Sequence, residues 1–128
     1  MADELGQSLK VVEVLLVYYS SEVKEQLERG LQRLHLKIHS IDGRAPDASE
    51  LIRTNPSEVV IMDQAADDVS VTQAVRQIGQ ILPDSMVITM YPGREMVEIY
   101  RRGHRIGTAE RLETALHSHA FYPKSLHE

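Results

Sequence analysis

The 128-residue chain contains no cysteine, which removes disulfides, thiolate nucleophiles and cysteine-based zinc sites from consideration. Aromatic residues make up only 5% of it, thin material for holding a flavin or another flat cofactor. No apolar run approaches the ~20 residues needed to cross a bilayer. The opening Met1-Ala2-Asp3-Glu4-Leu5 lacks the basic-then-apolar order of a secretory signal, so a cytoplasmic protein with no membrane segment is the expectation. Long basic clusters are missing too. Arg101, Arg102, His104 and Arg105 form a short cationic stretch in a chain of net charge −5. Affinity for nucleic acid rests on neutralising phosphates, and direct binding by this domain is not expected.

What is present suits one compact domain. The composition is 42% apolar, and a chain of this size buries roughly two-thirds of its unfolded surface. Residues 1–10 read as an N-terminal extension, 11–120 as the domain and 121–128 as a C-terminal tail. Val11-Val12-Glu13-Val14-Leu15-Leu16-Val17 is β-branched and almost continuously apolar, the pattern of a strand covered on both faces. Val23, Leu27, Leu31 and Leu34 then recur at helical spacing, predicting a helix over 21–34. Leu36 to Ile41 alternates like a half-exposed edge strand, broken at Asp42-Gly43.

Asp47 with Glu50, and Ser70 with Gln73, resemble capping boxes at two further helix starts. Val59-Val60-Ile61-Met62 is a strand that delivers Asp63 to its C-terminal end. Val71, Ala74, Val75, Ile78 and Leu82 stripe the next helix, and Met86 to Met90 form a fourth strand. A helix is predicted over 94–102, presenting Met96, Val97 and Tyr100, and a terminal helix over 108–119. Strand and helix alternate at least four times, the signature of a parallel sheet with helices on both faces. Chemistry in such sheets belongs at the C-terminal strand ends, which selects 18–21, 63–66 and 89–93.

Val59 to Asp63 resembles the receiver-domain strand of bacterial response regulators that ends in the phosphate-accepting aspartate. Thr89-Met90-Tyr91 is similar to the Thr-containing end of the fourth strand in receivers of the NarL type. The likeness spans about five-sixths of the chain. It implies an α/β fold of the flavodoxin-like (CheY-like) doubly wound kind, with a parallel sheet of about five strands, the fifth stunted to 104–107. It also places a pocket of Tyr18, Tyr19, Thr89 and Tyr91 around the acceptor position, Asp63.

The pattern departs from the family at three places. Receivers carry two acidic residues directly after the first strand, where this chain has Tyr18-Tyr19. They carry a Lys after the fifth strand, but Gly103-His104-Arg105-Ile106-Gly107-Thr108-Ala109 contains none. The aromatic residue that partners the Thr in the family is also missing. Mg2+ is a hard ion that needs one or two carboxylates besides the phosphate. Removing one charge-stabilising group from a phosphoryl-transfer site slows the reaction by a factor on the order of 10² to 10³. Loss of the neighbouring carboxylates also relieves roughly 3 kcal/mol of like-charge repulsion per pair at ~5 Å and an effective dielectric of ~20. Asp63 therefore does not need a cation, and no cofactor is expected, Mg2+ included.

The resulting expectation is a pseudo-receiver that is not an enzyme and works as a protein interaction or dimerisation module in signal transduction. The face implied by the resemblance comprises Met96, Val97, Tyr100, Arg101, Leu112 and Leu116. Two alternatives stand beside it: a receiver phosphorylated at Asp63 from a two-component transcriptional regulator, and a flavodoxin-like sensor of a flavin or small molecule. Tyr19-Ser20-Ser21 sits where a flavodoxin phosphate loop would, but has no glycine for close backbone approach. Asp67-Asp68 ahead of a helix reads better as a solvated pair favoured by the helix dipole than as metal ligands. His35 with His39, and His117 with His119 and His127, read as exposed side chains. No Gly-x-Ser-x-Gly elbow is present to support nucleophilic catalysis.

Overall fold

The computed structural model describes residues 13–34, 36–63, 70–90 and 96–116. The first apolar run becomes β1 (Glu13–Tyr18), with Val14 to Val17 all buried. α1 (Ser21–Gln32) turns Val23, Leu27 and Leu31 inward, as their spacing requires. β2 (Lys37–Asp42) is the half-exposed strand, and α2 (Ala48–Thr54) follows it. Asp47 stands at the N-cap of α2, but its side chain makes no capping bond, and Glu50 pairs instead with Arg53 at 2.6 Å. β3 (Val59–Asp63) is buried throughout. α3 (Val71–Ile81) begins at Ser70, whose hydroxyl accepts the Gln73 N–H at 3.3 Å. That is half of the anticipated capping box. β4 (Met86–Met90) completes the parallel part of the sheet.

Beyond β4 the chain departs from expectation. The helix predicted over 94–102 is a strand, β5 (Val97–Arg101), and the stunted strand at 104–107 is the six-residue β6 (His104–Ala109). Both run antiparallel to their neighbours. Among the described residues the sheet therefore has six strands rather than five, in the order β2-β1-β3-β4-β5-β6. The cause is visible in the residues. Val97 and Ile99 alternate with Glu98 and Tyr100, and β-branched residues at period two suit a strand. Arg102 and Gly103, at φ 54° and 83°, form the two-residue turn with positive φ that matches the twist of an antiparallel hairpin. The last described helix, α4 (Leu112–Ala115), lies within the span predicted for a terminal helix. Residues 117–119 of that span lie outside the described residues.

Side chains alternate between two apolar layers. Leu16, Ile61, Ile88 and Ile99 pack with α1, Ala115 and Leu116 on one face. Leu15, Val60 and Val87 pack with Ile52 of α2 and with Ala74, Val75 and Ile78 of α3 on the other. The protein is thus α/β, with helices on both faces of a mostly parallel sheet. Among the described residues, no helix is long and apolar enough to cross a membrane.

Candidate functional site at the strand ends

The strand order reverses between β2-β1 and β3-β4, so the crevice above the C-terminal ends of β1 and β3 is the switch point of the sheet. Asp63 occupies it. Although it ends an apolar strand, its side chain is polar and only 1% exposed, so it requires hydrogen-bond partners. One is the backbone N–H of Tyr19, which donates to Asp63 Oδ2 at 2.9 Å. This bond ties the end of β1 to the end of β3.

Tyr19 is tied on its other side as well. Its carbonyl accepts from Arg44 Nε at 3.1 Å, while the Gly43 N–H donates to the Tyr18 carbonyl at 2.8 Å. Asp42 accepts the Arg44 N–H at 2.9 Å, a short side-chain turn that holds the loop after β2. The Tyr19 ring lies on Gly43 so closely that a Cβ there would collide with it. A side chain at this position would force the Tyr19 ring to shift, so the constraint comes from contact and not from backbone conformation. The phenol's pKa is raised, first by burial and then by the negative charge of Asp63, with Arg44 pulling the other way. Tyr18 has a separate environment, with Lys24 Nζ 5.5 Å from its ring centroid in a cation–π contact.

Thr89 is 1% exposed. Register pairs it with Met62 and pairs Asp63 with Met90, and paired neighbours share a face. Thr89 and Asp63 therefore project to opposite faces of the sheet. Among the described residues the Thr89 hydroxyl has no hydrogen-bond partner. Tyr91, Asp67, Asp68, His35, His117, His119 and His127 lie outside the described residues. His39 is exposed on β2. Among the described residues, no group of three or more His, Cys, Asp or Glu side chains is gathered as a metal site.

The residues expected to form one interaction face separate. Met96 is 50% exposed, while Val97 and Leu116 are core residues at 0% and 1%. Tyr100, Arg101 and Leu112 are half-buried. This face presupposed a helix over 94–102, and with a strand there instead, alternate residues turn to opposite sides. Sequence reasoning also missed Gly43 and Arg44 as parts of the Asp63 site. Asp42-Gly43-Arg44 was legible as a turn, but its proximity to Tyr19 depends on β1 pairing with β2.

No family model, curated protein or solved structure matches this chain.

The geometry of this site has a definite chemical character. It is a buried carboxyl group engaged by the backbone amide of Tyr19, whose carbonyl is in turn held by Arg44 in the loop after β2. Such an arrangement serves well as a joint between strands.

Proposed function

We propose that this chain is an atypical receiver-like module in which Asp63 is a closed structural joint, and that it acts through protein contacts without Mg2+-dependent phosphoryl transfer. The observation that carries this reading is the bond from the Tyr19 N–H to a nearly inaccessible Asp63 carboxyl group. In-line attack on a phosphodonor needs an exposed, correctly aimed oxygen, with cations to offset charge on the transferred group. Here one oxygen is committed to an amide and the carboxyl group is shielded from solvent.

The strand order β2-β1-β3-β4, with an aspartate ending the third strand, supports the receiver-like and flavodoxin-like reading. The antiparallel pair β5-β6 then takes the place where that family has a helix and a further parallel strand. The chain keeps the half of the fold that presents the acceptor position and alters the half that would read it out.

Incubation of the full chain with Mg2+ and acetyl phosphate, followed by intact-mass measurement, tests the reading. The mass is expected to stay unchanged. A stoichiometric gain of about 80 Da that disappears in Asp63→Asn would establish a phosphorylatable receiver instead.

A further inference from the structure

The appended hairpin leaves β6 at the edge of the sheet, paired with β5 and with no other strand among the described residues. His104, Arg105, Ile106 and Thr108 are exposed. Among the described residues, the exposed large hydrophobics are Met96 and Ile106, at 50% and 52%; Ile106 lies within β6, and Met96 immediately precedes β5. An edge strand offers a row of backbone donors and acceptors to any strand that can approach it.

Ile106 is unusual within β6. Ile99 pairs with Gly107 and Tyr100 with Arg105, so the register steps over Ile106 at a bulge. Among the described residues it therefore has no cross-strand partner. A β-branched apolar residue in mid-strand, exposed and unopposed, gains most from an apolar residue placed against it by another strand.

We propose that β6 is a homodimerisation edge, in which two copies pair their β6 strands antiparallel about a two-fold axis at Ile106. This rests on the reading of the module as one that works through protein contacts, and it names the partner as a second copy. An antiparallel edge is self-complementary under a two-fold, so the Ile106 contact lies on the axis and every contact off it occurs twice. In this register Ile106 faces the partner's Ile106, Arg105 faces the partner's Gly107, and His104 faces the partner's Thr108. No two like charges stand opposite each other. Residues 104–109 contain no carboxylate, and Arg105 is already paired with Glu98 at 3.2 Å. The seam thus avoids the acidic surface of a chain with net charge −5. The bulge increases local twist, which confines pairing to a short segment, and so small a contact makes a weak, concentration-dependent dimer.

The absence of native cysteine gives a clean experiment on the full chain. In Ile106→Cys the two thiols lie on directly opposed residues, within the Cα separation of ~4.4–6.8 Å that a disulfide spans. In Thr108→Cys the two positions are offset by four residues, roughly 13 Å along the seam, beyond that reach. Both sites are exposed, and circular dichroism verifies that both variants fold. With oxidised glutathione as oxidant, Ile106→Cys is expected to form covalent dimer at least about tenfold faster than Thr108→Cys. Light scattering of the wild type should show the mass rising with concentration. Equal cross-linking rates, no cross-linking at Ile106→Cys, or a monomer at every concentration would overturn the proposal. The cross-link reads the β6 seam and the phosphodonor experiment reads Asp63, so failure of one is distinguishable from failure of the other.

Discussion

Substitution of Asp63 separates its role as an acceptor of hydrogen bonds from any role as a charge. Asp63→Ala leaves the Tyr19 N–H without its carboxylate partner at a nearly buried position, and an unsatisfied buried donor costs about 1–3 kcal/mol. Asp63→Asn retains an oxygen in the same place and should lose less than half as much. Urea denaturation of both variants measures the difference. Tyr19 adds a pH signature. Its folded pKa is raised above the ordinary value, first by burial and then by Asp63. The folded state therefore holds this proton more tightly than the unfolded chain does. The stabilisation is complete below the unfolded value of about 10 and is lost as pH rises through the raised folded value. Thermal unfolding followed from about pH 8 to about pH 11 should show this loss in the wild type and a flatter profile in Tyr19→Phe. The place of Asp63 was legible in the sequence because an apolar strand ends on it. Its amide partner was not, since Tyr19 lies 44 residues away and is brought near only by the pairing of β1 with β3.

Among the elements, those carrying a single strong period were the ones the sequence revealed. β1, β3 and β4 are continuous apolar runs, and α1 and α3 each have one apolar stripe. Residues 96–101 carry two periods at once. Met96, Val97 and Tyr100 fit a helix, whereas Val97 and Ile99 alternating with Glu98 and Tyr100 fit a strand. The contest is decided outside the segment, by the open edge of β4 and by the Arg102-Gly103 turn. That turn packs on α3. A Cβ on Gly79 would lie 2.6 Å from the backbone nitrogen of Gly103, a distance no side chain tolerates. Gly→Ala in an ordinary helix interior stabilises by about 0.5–1 kcal/mol. At Gly79 the sign should invert, with a loss of about 1–3 kcal/mol as helix and hairpin are forced apart. Urea denaturation of Gly79→Ala checks it, and a gain in stability would mean that the hairpin does not sit on α3.

Across the whole molecule, two halves of one sheet do different work. The parallel half, β2-β1-β3-β4, brings the ends of β1 and β3 together at the switch point and makes the Asp63 joint. The antiparallel half, β5-β6, ends the sheet in an exposed strand. A crossover helix would have covered that end, whereas a hairpin leaves it open to another strand. Pairing at that edge therefore needs no change at Asp63. The amide signal of Tyr19 in a nuclear magnetic resonance spectrum reports on the joint directly. During addition of Mg2+ and acetyl phosphate it is expected to keep its position and its protection from solvent exchange. A saturable shift with loss of protection, abolished in Asp63→Asn, would contradict a closed joint and make Asp63 a working phosphate acceptor.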